Sequence, residues 1–328
     1  MTLHRRLLLA TLAGLAAGAT LLPTAVAQEA WPSRPVRIVV PFPPGGSSDA
    51  AARLLAPRLA EKLGQQVVVE NRPGAGGSLA VGQVAKLAAD GYTLVLAAAG
   101  GLTIAPNLNP NIGYDPLADL APITGFARTP FVLVASADLG ATSVGELIQR
   151  ARSQPGRLSY ATGGNGTAMH IGGEMFKAMS QSFIVHIPYR GSGPAAMATM
   201  SGEVQMAVVD FASVVGQRDN PRLKLLATLG KERTALLPQY PTLHESGLAG
   251  YDVSGWFGLF APARTPPTIV NRLNTEIVAL LRTPEFAERF KSLGMEPLPT
   301  TPEALHTLMR NELAAYGGVI KRAGIKTE

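Results

Sequence analysis

The chain has 328 residues, with 29 Lys and Arg against 23 Asp and Glu, 46% hydrophobic residues, 35 Gly, 26 Pro and no Cys. Charged residues make up only 16%, so the bulk of the chain is too apolar for disorder and reads as a packed globular protein. The absence of Cys excludes disulfide scaffolds, thiolate zinc sites, iron–sulfur clusters, Cys nucleophiles and a lipid anchor on an N-terminal Cys.

The first segment stands apart from the fold. Arg5 and Arg6 precede a continuously apolar or small run from Leu7 to Leu22, and Ala25-Val26-Ala27 is an A-x-A cleavage pattern; together these are the parts of a secretory signal peptide, residues 1–27. The run is short of the ~20 residues that span a bilayer, which argues against an uncleaved anchor. His4 and Leu8 fit the twin-arginine pattern poorly, so the general secretory route is expected. Cleavage leaves a mildly basic protein of about 300 residues, a length commonly divided into two domains of ~150. No run of Lys and Arg and no basic stripe interleaved with aromatics marks a nucleic-acid surface. The charge suits an anionic small ligand better.

Val36-Arg37-Ile38-Val39-Val40 predicts a strand that empties into Pro41-Phe42-Pro43-Pro44-Gly45-Gly46-Ser47-Ser48-Asp49. Leu54, Leu55, Leu59 and Leu63 at helical spacing predict the helix that follows, stopped by Gly64. A strand from Gln66 to Glu70, a glycine turn from Arg72 to Gly77, a helix from Ser78 to Ala89 and a strand from Tyr92 to Leu96 repeat the pattern. Pro106 to Pro122 reads as irregular. The alternation resumes with a strand from Phe131 to Val134, a helix from Val144 to about Ser153, a strand from Leu158 to Ala161, and the loop Thr162 to Thr167 leading into a helix through about Met179. A strand from Phe183 to Ile187, the loop Pro188 to Pro194 with a further helix, and strands from Val204 to Val209 and Leu223 to Ala227 complete a second sheet. A last strand, Phe257 to Phe260, precedes helices around Thr268 to Leu281, Pro284 to Leu293 and Pro302 to Ala323. Such alternation predicts parallel sheets covered by helices. The fold class expected is therefore α/β, with two open, mainly parallel sheets in two lobes and a cleft between them. Residues 28–128 and 255–328 would form the first lobe and 129–254 the second.

In open α/β sheets, ligands lie beyond the carboxyl ends of the strands, where unpaired N–H groups at helix N-termini favour an anion. The loops Pro43 to Asp49 and Thr162 to Thr167 are the strongest such places, and Ser47, Ser48 and Thr167 add hydroxyl donors. Either loop alone is better read as a tight turn with a helix cap; two in opposed lobes shift the reading toward a carboxylate site. Enzyme signatures are poor. Gly76-Gly77-Ser78-Leu79-Ala80 carries Ala80 in the last glycine position of a nucleophile elbow, and Gly74-Ala75-Gly76 has Leu79 where a dinucleotide fingerprint needs its third glycine. His170, His186, His244 and His306 show no metal-ligand spacing. No catalytic residue, metal or cofactor is expected. Asp49, four residues before Arg53, reads as one half of an ion pair on a helix. Asp210, at the end of an apolar strand, is either a helix cap or an acceptor for a ligand amine or hydroxyl. Arg190 reads as an attractor for an anion or as a solvated surface arginine, and Phe42 and Trp256 as wall or hinge packing.

Pro41-Phe42-Pro43-Pro44-Gly45-Gly46 with Asp49 and Arg53, then Glu70-Asn71-Arg72-Pro73-Gly74-Ala75-Gly76-Gly77, Gly164-Asn165-Gly166-Thr167 with His170, and Trp256-Phe257-Gly258-Leu259 with Pro262 follow one another over nearly the whole mature length. In that order they resemble the periplasmic substrate-binding proteins of tripartite tricarboxylate transporters, the Bug family. The resemblance implies a monomeric, two-lobed periplasmic flytrap that is not an enzyme. It would close on a small carboxylate held by loop N–H groups, hydroxyls and bridging waters instead of an arginine clamp, with membrane transporter subunits as possible partners. A ligand-presenting sensor without a transport role and a secreted α/β enzyme acting on a carboxylate are the alternatives. Carried over by position, Phe42, Pro44, Gly45, Gly46, Ser47, Ser48 and Asp49 would serve one lobe, and Thr162, Gly163, Asn165, Thr167 and His170 the other. Ala99, Gly100 and Gly101, the segment Pro188 to Gly193 with Tyr189, Arg190 and Gly191, and Asp210 would line the rest of the cleft. Ser78 stands where the family usually has Asn, Thr162-Gly163 where it has a Ser pair, and Arg190 where it commonly has Lys, so the identity of the ligand does not follow.

Overall fold

The computed structural model describes residues 31–325, and the expected signal peptide lies outside the described residues. The β-branched run Val36–Val40 forms β1, and α1 (Ser47–Leu63) packs Ala51, Ala52, Leu55, Ala56 and Leu59 inward before Gly64 ends it in the left-handed conformation, φ 70°. There follow β2 (Val67–Asn71), α2 (Ser78–Ala85), β3 (Thr93–Ala98), a π-helical turn over Gly100–Ile104 and the short α3 (Ala105–Leu108). β4 (Leu120–Thr129) and β5 (Phe131–Ser136) are separated only by Pro130. Next come α4 (Val144–Ser153), β6 (Ser159–Thr162), α5 (Ala168–Ser180), β7 (Val185–Pro188), α6 (Ser192–Met200), β8 (Met206–Asp210) and β9 (Leu223–Thr228). The chain then returns through β10 (Gly255–Pro262) to α7 (Pro267–Leu281), α8 (Pro284–Ser292), β11 (Glu296–Pro297) and α9 (Pro302–Ala323).

The strands make two open sheets, in the orders β11-β4-β10-β3-β1-β2 and β7-β6-β8-β5-β9. The expectation of mainly parallel sheets needs correction: both are mixed. β1 runs parallel to β2 and β3, and β6 parallel to β7 and β8. By contrast β10 is antiparallel to β3 and β4, β11 to β4, and β5 to β8 and β9. The cause is the route between lobes. A βαβ step returns the next strand parallel, but the chain passes from β4 to β5 with no helix between them and re-enters the first sheet directly along β10.

β4 lies where the sequence reads as irregular and then unassigned, and its pairing explains why. Opposite β10, the ladder skips Ile123 and Phe126 at two register shifts. Both skipped residues are fully buried, so the bulges destroy the period-2 alternation that identifies a strand. Gly125 is required by a close approach, since a Cβ there would lie 2.6 Å from the Leu298 carbonyl oxygen. β10 is buried along its whole length at the centre of the first sheet. α9 packs on β4 and reaches α5, and its Tyr316 and Ile320 join the core built around the second sheet.

Candidate functional site

The strand-end loops of both sheets and the crossing strands border a cavity of about 200 Å³. From the first sheet it is bordered by Phe42 to Ser48, Gly76, Ala98, Ala99 and Gly100. The second sheet contributes Gly163, Thr167, Ala168, Met169, Arg190 to Pro194, Asp210 and Ser213. Thr129, Phe131, Gly255, Trp256 and Phe257 close it where the chain crosses between sheets.

Two helices begin at this cavity without a side-chain cap: α1, whose N-cap is Gly46, and α6, whose N-cap is Gly191. A glycine cap offers no acceptor, so the first-turn N–H groups remain for an anion, with the helix dipole in its favour. α5 differs. Thr167 Oγ1 accepts from the His170 N–H at 3.3 Å and donates to the Gly164 carbonyl at 2.8 Å, which caps that helix from within. On the second sheet the uncapped terminus is therefore that of α6, while the loop Thr162 to Thr167 supplies wall. The sequence signal for α6 is Gly191 immediately before Ser192.

The first wall is held by Asp49. Its side chain is 4% exposed and does not border the cavity. It accepts from the Gly45 N–H at 3.0 Å, from Arg53 Nε at 3.0 Å and from Asn71 Nδ2 at 2.9 Å. Asn71 Nδ2 also donates to the Phe42 carbonyl at 3.0 Å, so one carboxylate and one amide fix both ends of the loop Phe42 to Gly45. Burial by itself would raise the Asp49 pKa, but the hydrogen bonds from Arg53, Gly45 and Asn71 outweigh it and hold the carboxyl below the usual carboxylate range.

Several expected residues sit behind the walls. Thr162 is fully buried, its hydroxyl 2.7 Å from His186 Nε2 and 3.2 Å from the Gly164 N–H. His170 stacks on His186 with ring centroids 4.3 Å apart. Burial, with the neighbouring His170 and Lys177 charges, pushes the His186 pKa down to about 3. Tyr189 turns to Glu203, 2.7 Å away. Gly101 packs under Val81 and Gly77. Asn165 presents its backbone to Gly76: a Cβ on Gly76, which has φ +63°, would come 2.7 Å from the Asn165 carbonyl oxygen, and one on Gly100 would meet Gly76 and Gly166. These glycines let the loops of the two lobes touch. Ser78, at the elbow-like turn, donates to the Ala75 carbonyl and closes that turn.

Thr129, Phe131, Gly255 and Phe257 go beyond the sequence expectation for the cavity wall, as does Gly76, while Trp256, read as wall or hinge packing, borders the cavity. Trp256 Nε1 donates to Glu312 Oε1 on α9 at 2.9 Å, and Thr103 Oγ1 lies 2.9 Å from Glu312 Oε2 and 3.1 Å from the Ala99 carbonyl. Burial raises the Glu312 pKa in spite of these donors. A proton on Glu312 satisfies the whole chain, since the carboxyl then donates to Thr103 while Thr103 donates to Ala99. Among the described residues no group of three His, Cys, Asp or Glu is placed to hold a metal ion, and no helix is long and apolar enough to cross a membrane.

The sequence profile described as the tripartite tricarboxylate transporter family receptor matches residues 51–325. Protein BugT of Bordetella pertussis is 36% identical over 302 residues, which cover 92% of this chain and 93% of BugT. Among solved structures, R. palustris Rpa4515 with adipate is 35% identical with a TM-score of 0.87, over 90% of this chain and 99% of that one. MatC (Rpa3494) from Rhodopseudomonas palustris, with bound malate, is 31% identical with a TM-score of 0.83, over 88% and 100%.

Proposed function

The chain belongs to the tripartite tricarboxylate transporter receptor family of solute-binding proteins, and from that premise we propose that it captures a small carboxylate in the periplasm. The observation that carries this reading is the pair of uncapped helix N-termini, at Gly46 and Gly191, that border one cavity from opposite sheets. A carboxylate seated there accepts from both helix ends at once, with Arg190 adding positive charge at the rim. Rpa4515 with adipate and MatC with malate support the ligand class.

Residues 28–128 with 255–328 and residues 129–254 act as the two lobes, hinged at Thr129 to Phe131 and at Gly255. The ligand favours the closed arrangement only through its greater affinity for it. Residues 1–27 direct export and are removed. The mature protein works as a monomer without chemistry of its own and delivers its ligand to membrane transporter subunits.

The test is a thermal-shift screen of the refolded, ligand-free mature protein against small carboxylates. A ligand at a hundred times its Kd adds about 2.7 kcal/mol. Gly46 has ordinary backbone angles, and a Cβ there meets nothing closer than 3.7 Å, so Gly46→Leu should fold while its side chain covers the α1 terminus. A selective shift lost in Gly46→Leu supports the reading; a folded protein that responds to no carboxylate overturns it.

A further inference from the structure

We propose that the cavity selects, among small carboxylates, those that also carry a hydrogen-bond donor, an ammonium or hydroxyl group, and that Asp210 together with Thr129 reads that donor. The inference rests on the carboxylate reading above and narrows it.

A carboxylate site needs donors, and the helix termini at Gly46 and Gly191 are donors. Asp210 is the opposite. It borders the cavity, is 5% exposed, and keeps one oxygen occupied: Oδ1 accepts from the Ser213 N–H at 3.0 Å and from the Ser213 hydroxyl at 2.9 Å. Oδ2 accepts from no described residue. The cap on the turn that follows β8 thus uses half of the carboxylate and leaves the other half to the cavity.

Thr129 is the second observation. It too borders the cavity, is 1% exposed, and its Oγ1 is buried with no hydrogen-bond partner. The two residues belong to one place in the fold. Thr129 ends β4, Pro130 follows, and Phe131 is the register partner of Asp210 across β5 and β8. A buried hydroxyl without a partner is costly and uncommon, and a ligand group that both donates and accepts would relieve it.

A ligand that offers only carboxylates and hydrocarbon gains nothing here and brings like charge toward Asp210 in a desolvated space, where repulsion is strong. A ligand with an ammonium or hydroxyl near its carboxylate gives Oδ2 the proton it lacks. Sites built around such a contact discriminate sharply against analogues without it, because the site's polar groups are then left unpaired.

The experiment is calorimetric titration of the ligand-free mature protein with three matched series: succinate, malate and aspartate; propanoate, lactate and alanine; 3-phenylpropanoate, 3-phenyllactate and phenylalanine. In whichever series binds, the hydroxy or amino member is expected to bind at least about tenfold more tightly than the plain acid. Asp210→Asn keeps an oxygen for Ser213 and should reverse the order, weakening the donor-bearing member while leaving the plain acid equal or tighter. An ammonium ligand should lose more than a hydroxyl ligand, which tells the two apart. Thr129→Val should raise the thermal midpoint of the unliganded protein and lower the donor's advantage. Plain acids that bind as tightly as their donor-bearing partners, or an Asp210→Asn variant that weakens all members equally, overturn the inference and leave the carboxylate reading intact. A protein that binds no acid in any series overturns both.

Discussion

Asp49→Asn is the most informative single change to the first wall, because it alters what holds the loop without touching the cavity. The amide keeps one oxygen for Arg53 or Asn71 but turns an NH2 toward the Gly45 N–H, which Asp49 Oδ2 accepts at 3.0 Å. Two donors then face each other at a site 4% exposed. One buried unsatisfied donor costs about 1–3 kcal/mol, so about 2 kcal/mol is expected. The Arg53 guanidinium is half exposed, and the charge part of that pair contributes little beyond this figure. For a protein of this size that is a fall of roughly 4 °C in thermal midpoint. The freed loop Phe42 to Gly45 no longer presents the α1 terminus in one geometry, and ligand affinity should drop roughly tenfold. Urea unfolding of the unliganded mature protein measures the first effect and calorimetry the second. The acid side supplies a sign. The folded Asp49 pKa lies below its ordinary value, so its stabilisation is complete above the unfolded pKa and is lost as pH falls through the folded one; the gap between variant and parent should narrow in acid. Unchanged urea midpoint and unchanged affinity would refute the reasoning.

Glu312→Gln mimics the protonated carboxyl, accepting from Trp256 and donating to Thr103; since the folded Glu312 pKa is raised, the native carboxyl loses stability as pH rises above its unfolded value and through its folded one, and the variant should gain on the parent over that rise in paired urea titrations. His186, pushed down to about 3, stays neutral in the fold, so stability should fall as pH drops from about 6.5 toward 3, by up to about 1.4 kcal/mol per unit. His186→Gln should flatten that slope. Gly76→Ala places a Cβ against the Asn165 carbonyl at a φ of +63°, costing about 1 kcal/mol of strain in any state. It should weaken ligand binding beyond that, because the loops of the two lobes can no longer touch.

Most elements were legible because they obey one period. Val36 to Val40 and the leucines of α1 announce a strand and a helix, and Gly64 a stop. β4 was not, because its two bulges bury Ile123 and Phe126 together and place Pro122 and Gly125 inside a strand. The mixed sense of the sheets was hidden for another reason: strand alternation says which elements exist, while the direction of β5 and β10 is set by crossings that carry no helix. At the cavity, glycine and hydroxyl residues reveal where helices begin. They do not reveal which helix is left without a side-chain cap, since that turns on whether Thr167 folds back onto the His170 N–H. Thr129 sits on a crossing strand, and its approach to the cavity depends on the long-range pairing of β4 with β10, which no local pattern encodes.

The central claim is that a carboxylate is gripped by two helix ends from opposite lobes, and the most direct measurement replaces the charge while keeping the shape. Calorimetric titration of the ligand-free mature protein with the best-binding acid and with its primary amide should give saturable binding of the acid and at least about a hundredfold weaker binding of the amide, with the acid's advantage reduced in Gly46→Leu. Equal affinity for acid and amide would contradict the account, since helix N-termini that hold an anion cannot be indifferent to its charge.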